Sequence, residues 1–390
     1  MFRFKLRQFQ LSIALLGAVS LIPCANSFAE TVGDPDTSFV PTSQTSVSAN
    51  KSVRLDYSYI DNILKNTVFY LGPSDRIRRV KRNKLNNGSQ GITVGHTSPY
   101  RLEGSRFYLG NLPAEFAKDV AIYRQELEQL AVSIPITSLE RDEQLAFWLN
   151  LHNISLLELM STERRARYTT DKRYGPDDQP MDMVKFINID DKLYSLRDIR
   201  EKIVYANWSD PRVMYGFFLG ELGGPSLQNI AFTGKNVQSL LRTNAEEFVN
   251  SLRGFEIHKG RPQVSQLYAN LSPTFFPNFQ SDVKAHFKTY MRPEVYAEVE
   301  KSGDLQIAKY EHRIASVDGG KSAAHISSQI TVSVDPNTLE SRFTAEDIAS
   351  RKNALGFLLR DYTVKRERLK EMGLLESEVI IEDIETVDSP

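Results

Sequence analysis

Residues 137–160 read TSLERDEQLAFWLNLHNISLLELM, and the neighbouring elements are best understood from this segment outward. Thr137 and Glu140 have the spacing of a capping box, which marks the start of a helix. Behind them, one face of the helix carries Leu145, Trp148, Leu149, His152, Leu156, Leu159 and Met160. Because an apolar face of this width belongs in a protein core, we predict that residues 139–160 form the central helix.

Periodicity and turn residues predict shorter elements on both sides of this helix. Residues 116–132 have the pattern of an amphipathic helix, and residues 186–190 alternate like a strand that ends in a turn at 191–192. A second capping box predicts a helix over residues 195–205, and another apolar face predicts a helix over 236–252. This mixture predicts an α+β fold, with one large, helix-rich domain and a short sheet.

We assign this domain to residues 53–316 and treat residues 317–390 as a C-terminal appendage. The appendage contains a predicted strand at 330–334, a basic amphipathic helix that begins after Thr344 and ends at Gly373, and an acidic tail. A basic helix can also dock on a membrane surface or a partner. Interspersed acidic residues dilute its positive charge, so we expect it to pack on the protein itself.

The N-terminal residues 1–29 have the three parts of a secretory signal peptide. Basic residues precede an apolar run over residues 11–22, and small residues follow at 27–29 with the spacing that a leader peptidase requires. The run is shorter than the roughly 20 residues of a membrane-spanning helix. We predict cleavage after Ala29 and a periplasmic or secreted mature protein without a membrane span.

Two alternatives to this cleavage remain open. The segment could stay as an uncleaved anchor, or Cys24 could carry a lipid, although Pro23 is a poor residue to precede a lipidated cysteine. The polar residues 30–52 contain few large apolar side chains and are predicted to form a flexible leader.

Composition and motifs exclude several function classes. The 390 residues carry a net charge of −1, and the basic run at residues 76–84 contains no aromatic side chain, so we predict no nucleic-acid partner. The chain contains no P-loop, no His-Glu-x-x-His motif and no Gly-x-Ser-x-Gly motif. Its six histidines are scattered singly, and we predict neither a metal nor a cofactor.

A glycine-rich loop follows an apolar stretch at residues 220–225. Its glycines could cradle an anion through backbone N–H groups, but Glu221 would repel one, and no Lys or Arg lies within the loop. We therefore interpret the loop as a tight connection between buried elements.

Several short motifs, taken in order, resemble the bacterial domain-of-unknown-function family 547. They lie at residues 145–153, 193–199, 210–212, 224–227 and 308–314. The resemblance extends over residues 53–316 and implies an uncharacterised, exported protein with a cysteine-hydrolase-like architecture. Where such proteins usually have a histidine and cysteines, this chain has Met214, Leu219 and Gly224. These residues cannot supply a thiolate or a proton acceptor.

Two functions follow from this departure. The first is a non-catalytic binding or assembly role, with the thiol site lost and with an unknown ligand or protein partner. Its candidate cleft comprises Trp148, Asn150, Asn153, Arg212, Leu219 and Gly224. The alternative is a periplasmic hydrolase that uses carboxylate and histidine chemistry. Its candidate acids and bases are His152, Asp210, Glu221 and Glu311.

Overall fold

A computed structural model describes residues 53–79, 98–109, 112, 115–162, 168–171, 173–174, 178–317 and 354–375. All of these residues belong to one compact unit, which spans residues 33–390. The predicted signal peptide, the leader, the strand at 330–334, Thr344 and the acidic tail lie outside the described residues.

Helices dominate the described structure, and small sheets complete it, which confirms the predicted α+β class. The helices are α1 (Ser58–Thr67), α2 (Phe116–Ser133), α3 (Arg141–Thr162), α4 (Leu196–Asp198), α5 (Tyr205–Asn207), α6 (Val237–Val249), α7 (Gln266–Asn270), α8 (Ser272–Phe275), α9 (Phe279–Tyr290), α10 (Pro293–Glu300) and α11 (Ala354–Glu371). A π-helical segment, Ile199–Val204, joins α4 to α5. Single 3-10 turns lie at Ile136–Ser138 and Thr169–Asp171, and a longer one lies at Pro211–Gly216.

The described strands are all short. They are β1 (Val68–Tyr70), β2 (Ser105–Phe107), β3 (Arg173–Tyr174), β4 (Gln179–Pro180), β5 (Ile187–Ile189), β6 (Lys192–Tyr194), β7 (Phe255–His258), β8 (Arg261–Val264) and β9 (Gln306–Ile307). Strands β1 and β2, β3 and β4, and β5 and β6 form antiparallel pairs. The remaining strands form one three-stranded sheet in the order β7–β8–β9. Strands β7 and β8 are an antiparallel hairpin, and β9 pairs parallel with β8.

Helix α3 is the centre of the core. The sequence predicts one apolar face, but every residue from Glu143 to Leu157 is buried. Helices α2 and α6 and the π-helical segment pack around it, so polar side chains of α3 are enclosed too. Trp148 is fully buried and meets the Phe147 ring edge to face, with 5.0 Å between the ring centroids.

One predicted helix cap is wrong and another is confirmed. Thr137 lies in the preceding 3-10 turn, and α3 begins four residues later at Arg141. The Ser195 hydroxyl, in contrast, accepts a hydrogen bond from the Asp198 amide at 3.0 Å, and the Asp198 carboxylate accepts one from the Ser195 amide at 2.9 Å. Both bonds of the second capping box are therefore present.

The predicted strand and turn before this cap are one residue out of register. Strand β5 ends at Ile189, and the turn consists of Asp190 and Asp191, whose φ angles are 51° and 59°. Two successive left-handed residues define a type I′ hairpin turn, which matches the twist of the paired strands.

Helix α11 packs on the protein, as the sequence predicts. Leu358, Leu359 and Leu369 are buried, while Met372, which the apolar pattern includes, is 43% exposed. The helix ends at Gly373 in the left-handed conformation, with φ at 66°. Its apolar side belongs to a small hydrophobic cluster with Leu71, separate from the main core.

A buried lysine holds α11 in place. The Lys365 ammonium donates hydrogen bonds to the carbonyl oxygens of Leu71 at 2.9 Å, Gly72 at 3.4 Å and Leu102 at 2.6 Å. Burial lowers the pKa of Lys365 to about 8. Three backbone acceptors thus offset the cost of enclosing this charge.

The described arginines of the basic run form internal ion pairs. Arg76 contacts Glu298 at 2.8 Å, Arg78 contacts Glu256 at 2.7 Å, and Arg79 contacts Asp75 at 2.5 Å. Glu298 lies on α10 and Glu256 on β7, so Arg76 and Arg78 attach the segment after β1 to these two elements. The pair of Arg79 and Asp75 is local, four residues apart.

Candidate functional site

The 3-10 turn Pro211–Gly216 precedes the glycine-rich loop at residues 220–225. The Asp210 carboxylate caps this turn, since it accepts a hydrogen bond from the Arg212 amide at 2.9 Å. Gly220 then adopts a φ of 75° beside the Met160 sulfur. A β-carbon on Gly220 would lie 3.1 Å from that sulfur, so both the conformation and the close contact favour glycine here.

A second segment covers the loop through backbone hydrogen bonds. The Leu222 amide donates to the Arg313 carbonyl at 2.8 Å, and the Gly223 amide donates to the Glu311 carbonyl at 2.9 Å. The Ala315 amide donates back to the Gly220 carbonyl at 2.9 Å. The amides of Leu222 and Gly223, which could have held an anion, are thus used inside the protein.

The Tyr310 side chain fills the space beside the two central glycines. A β-carbon on Gly223 would lie 3.0 Å from the Tyr310 ring, and one on Gly224 would lie 3.0 Å from its hydroxyl oxygen and 3.3 Å from the Leu219 β-carbon. Gly224 is buried, and Leu219 is half-buried against the main core. The loop is packed shut at these positions.

His152 lies inside the core in a chain of hydrogen bonds. Its Nε2 atom is 3.0 Å from Nη1 of Arg200, and its Nδ1 atom is 3.0 Å from the side-chain oxygen Oδ1 of Asn153. Because an arginine can only donate, Nε2 accepts and Nδ1 carries the proton. Burial and then the Arg200 charge hold the pKa of His152 well below its usual range. The Arg200 guanidinium also donates a hydrogen bond to the Asp182 carboxylate at 2.8 Å.

The two asparagines of α3 brace the backbone of neighbouring segments. The Asn153 amide group donates to the Gly216 carbonyl at 2.9 Å, and its oxygen accepts from the Phe218 amide at 3.0 Å. Asn150 makes the same pair of bonds with the backbone of Phe232, at 2.7 Å and 3.0 Å. Both side chains therefore have the hydrogen bonds that burial demands.

A small pocket lies beside these asparagines, and its volume of about 10 Å³ has room for about one water molecule. Its walls are Ile60, Leu64, Asn150, Asn153, Ile154, Leu227, Gln228, Ile230 and Phe232. Two members of the predicted cleft, Asn150 and Asn153, line it. Trp148, Leu219 and Gly224 do not belong to this lining.

Asp210 and Arg212 pair with each other near the surface. The Arg212 guanidinium donates to the Asp210 carboxylate at 2.5 Å and 2.8 Å and reaches the Gln238 side chain at 2.9 Å. This pair holds the 3-10 turn against α6, because Gln238 belongs to that helix.

Glu221 meets a histidine that the sequence analysis did not single out. Its carboxylate oxygen is 3.1 Å from Nδ1 of His312 and also accepts a hydrogen bond from the Thr169 hydroxyl. The His312 side chain is 48% exposed, and the hydrogen bond to Glu221 raises its pKa. The geometry therefore places a half-exposed imidazole against a carboxylate that is only 11% exposed, at the edge of the loop.

The remaining candidate acid, Glu311, lies on the covering segment. Its carboxylate accepts a hydrogen bond from the Ser98 hydroxyl at 3.3 Å and lies 3.9 Å from the Arg313 guanidinium. Within the described residues, no hydrogen bond joins two of the four predicted acids and bases. In the same ranges, no three His, Cys, Asp or Glu side chains converge in a way that could hold a metal ion.

His312 lies in the family-like motif at residues 308–314, but spacing along the sequence does not show that it contacts Glu221. It lies 91 residues after Glu221, and the two meet only because the covering segment pairs with the loop. The pattern of a lone histidine between charged residues is the same as that of an ordinary surface histidine.

The protein is thus an α+β protein with one buried central helix and a closed glycine-rich loop beside it. Comparison with family models identifies the segment concerned: residues 136–249 match the family described as "Protein of unknown function, DUF547". The similarity to the DUF547 family is therefore shown for this segment, which runs from the turn before α3 to the end of α6.

Two further comparisons gave no relatives. No curated protein and no solved structure matches this chain. In the described ranges, no helix has both the length and the apolar character required to cross a membrane.

Proposed function

We propose that this protein is an exported member of the DUF547 family that acts by binding or assembly and has lost a thiol-based catalytic site. The observation that carries the proposal is the closure of the glycine loop. Its backbone amides pair with the covering segment, and Tyr310 occupies the space beside Gly223 and Gly224. A loop closed in this way offers no room for a substrate above these glycines.

The residue types at the same place support this proposal. Met214 is buried and carries a thioether, Leu219 is aliphatic, and Gly224 has no side chain. The one cysteine of the chain, Cys24, lies in the segment that we expect to be removed on export. The mature protein would then contain no thiol that could act as a nucleophile.

The pocket beside α3 has room for about one water molecule, so we do not expect it to hold a larger ligand. Its walls combine apolar side chains with the amides of Asn150, Asn153 and Gln228. Both asparagines already bond the backbone and shape this pocket. We therefore expect a partner to contact the surface of the protein and not the interior of this pocket.

One observation favours the alternative, a hydrolase that uses carboxylate and histidine chemistry. Glu221 and His312 lie 3.1 Å apart, and His312 is half-exposed. A carboxylate that orients an imidazole is a common catalytic pair. The raised pKa of His312 keeps the ring protonated to higher pH, however, which weakens it as a general base.

The first experiment tests export and the missing thiol together. We expect N-terminal sequencing of the protein from the periplasm or medium to begin at Glu30. We also expect a low dose of iodoacetamide to leave its melting temperature and any ligand binding unchanged. A start at a modified Cys24, or a function that iodoacetamide removes from the cleaved protein, would contradict the proposal.

The second experiment separates binding from hydrolysis. The wild type is assayed against chromogenic ester, amide and glycoside substrates, beside Glu221→Gln and His312→Asn. Glu294→Gln serves as the control, because Glu294 is 66% exposed on α10 and is not a candidate acid or base. We expect no turnover in any of them. A turnover that both first variants lose and the control keeps would establish the hydrolase.

A further inference from the structure

A pair of tyrosines is exposed between α1 and α2. The ring centroids of Tyr59 and Tyr123 lie 5.4 Å apart, with the ring planes inclined by 25°. Tyr59 is 60% exposed, and Ile122, next to Tyr123, is 52% exposed. Large apolar groups on a protein surface are common singly, but here an aromatic stack and an aliphatic side chain occur together.

Carboxylates flank this aromatic pair. Asp119 lies one helical turn before Tyr123 and Glu126 lies one turn after it, and both are exposed on α2. The exposed Asp56 lies just before α1, three residues before Tyr59. Partial burial and then the charges of Asp119 and Glu126 raise the pKa of the Tyr123 phenol, as expected if these carboxylates lie close to it.

The arginines of this region are directed to other carboxylates. Arg124 is buried and bonds Glu128 and Glu158, the latter at 2.6 Å. Arg54 contacts Glu140 at 2.8 Å and also bonds the buried Glu143. Of the basic residues on α2, Lys118 is exposed and adjoins Asp119. The balance of charge around the tyrosines therefore remains negative.

We propose that the Tyr59–Tyr123 pair, with Ile122 and the flanking Asp119 and Glu126, binds an arginine-rich basic segment of a partner protein. A guanidinium stacks on an exposed tyrosine ring, which attracts cations through its π face. Its aliphatic stem would cover Ile122, and the carboxylates would accept its N–H groups. This surface lies outside residues 136–249, so the inference is independent of the proposed function.

The test uses the full-length exported protein and a hexa-arginine peptide, with affinity measured by calorimetry at low salt. We expect Tyr59→Leu, and separately the pair Asp119→Asn with Glu126→Gln, to weaken binding by about tenfold or more. Tyr59→Phe should bind like the wild type, because it keeps the aromatic face. Glu300→Gln with Asp304→Asn removes two exposed charges elsewhere and should also change nothing.

Three results would overturn the inference. The first is equal weakening by both double variants, which would mean that the peptide senses bulk charge only. The second is hexa-lysine binding as tightly as hexa-arginine, with no response to Tyr59→Leu. The third is a concentration-dependent dimer of the wild type that Tyr59→Leu abolishes, since the surface would then join two copies of this chain.

Discussion

His152 and His312 lie in opposite environments, although each uses Nδ1 to contact a polar side chain. His152 is buried between Arg200 and Asn153, and its pKa lies well below the usual range. His312 is half-exposed beside Glu221, and its pKa is raised. The first ring is a neutral structural group, whereas the second carries a charge that responds to pH near neutrality.

The difference lies in the surroundings of the two rings, since both lie in motifs that resemble the family, at residues 145–153 and 308–314. Both nitrogens of His152 bond protein groups inside the core. His312 is half-exposed and contacts a carboxylate that is itself 11% exposed. The buried network of His152 should therefore control stability, and the half-exposed His312 should control any chemistry at the loop.

The largest expected effect comes from the packing of α3, the helix that carries the buried histidine. Replacing Trp148 by Ala removes a fully buried indole from α3 and leaves a cavity. We expect a loss of about 3 to 5 kcal/mol in the free energy of unfolding, measured in urea at pH 7. A wild-type unfolding curve would refute the placement of α3 in the core.

The second largest effect is the loss of stability in acid that the buried histidines cause. His286 is buried and its Nε2 lies 2.8 Å from the Tyr215 hydroxyl, and burial lowers its pKa from 6.5 to about 4. Between these values the unfolded chain binds more protons, so stability falls as the pH falls. This histidine should cost roughly 3 kcal/mol by pH 4, and His152 adds a loss of the same sign.

Urea unfolding at several pH values between 7 and 4 checks this prediction. His286→Gln should flatten the dependence, because glutamine can bond the Tyr215 hydroxyl without titrating. A dependence that stays as steep in this variant would place the titrating groups elsewhere.

Asn153 tests the network that fixes His152. Asn153→Ala leaves the Gly216 carbonyl and the Phe218 amide without their bonds in a buried region. We expect a loss of about 2 to 3 kcal/mol in the free energy of unfolding. Asn62→Ala, on the exposed face of α1, is the control and should stay within about 0.5 kcal/mol of the wild type.

The exposed pair should have the smallest effect on stability. Because the pKa of His312 is raised in the folded state, its stabilisation is present below pH 6.5 and disappears as the pH rises through the folded value. Solvent screens a half-exposed ring, so Glu221→Gln should cost at most about 1 kcal/mol, at pH 6 and not at pH 9. Histidine resonances followed by NMR should show a lower pKa for His312 in this variant.

Local signals were predictable from the sequence, and distant partners were not. The Ser195–Asp198 cap and the Gly373 helix end depend on residues within one turn, and both are confirmed. Thr137 has the correct spacing for a cap, but the 3-10 turn that contains it sets the start of α3 later. The α+β class and the central helix follow from apolar periodicity, which is also a local property.

The contacts of the candidate site join residues far apart in the sequence and could not be predicted from it. Glu221 could be noted as the ionisable group of its loop, but Tyr310 and His312 reach the loop only through tertiary pairing. Lys365 is similar, since a lysine on an amphipathic helix normally points to water. Its buried position depends on carbonyl groups that come 294 and 263 residues earlier in the chain.

This lysine also sets an order of events during synthesis. The carbonyl groups of Leu71 and Leu102 leave the ribosome first, and the ammonium that binds them follows 294 and 263 residues later. A growing chain therefore cannot complete these contacts until α11 has been synthesised. In a product that stops before Lys365, the buried carbonyl groups of Leu71, Gly72 and Leu102 lack this donor.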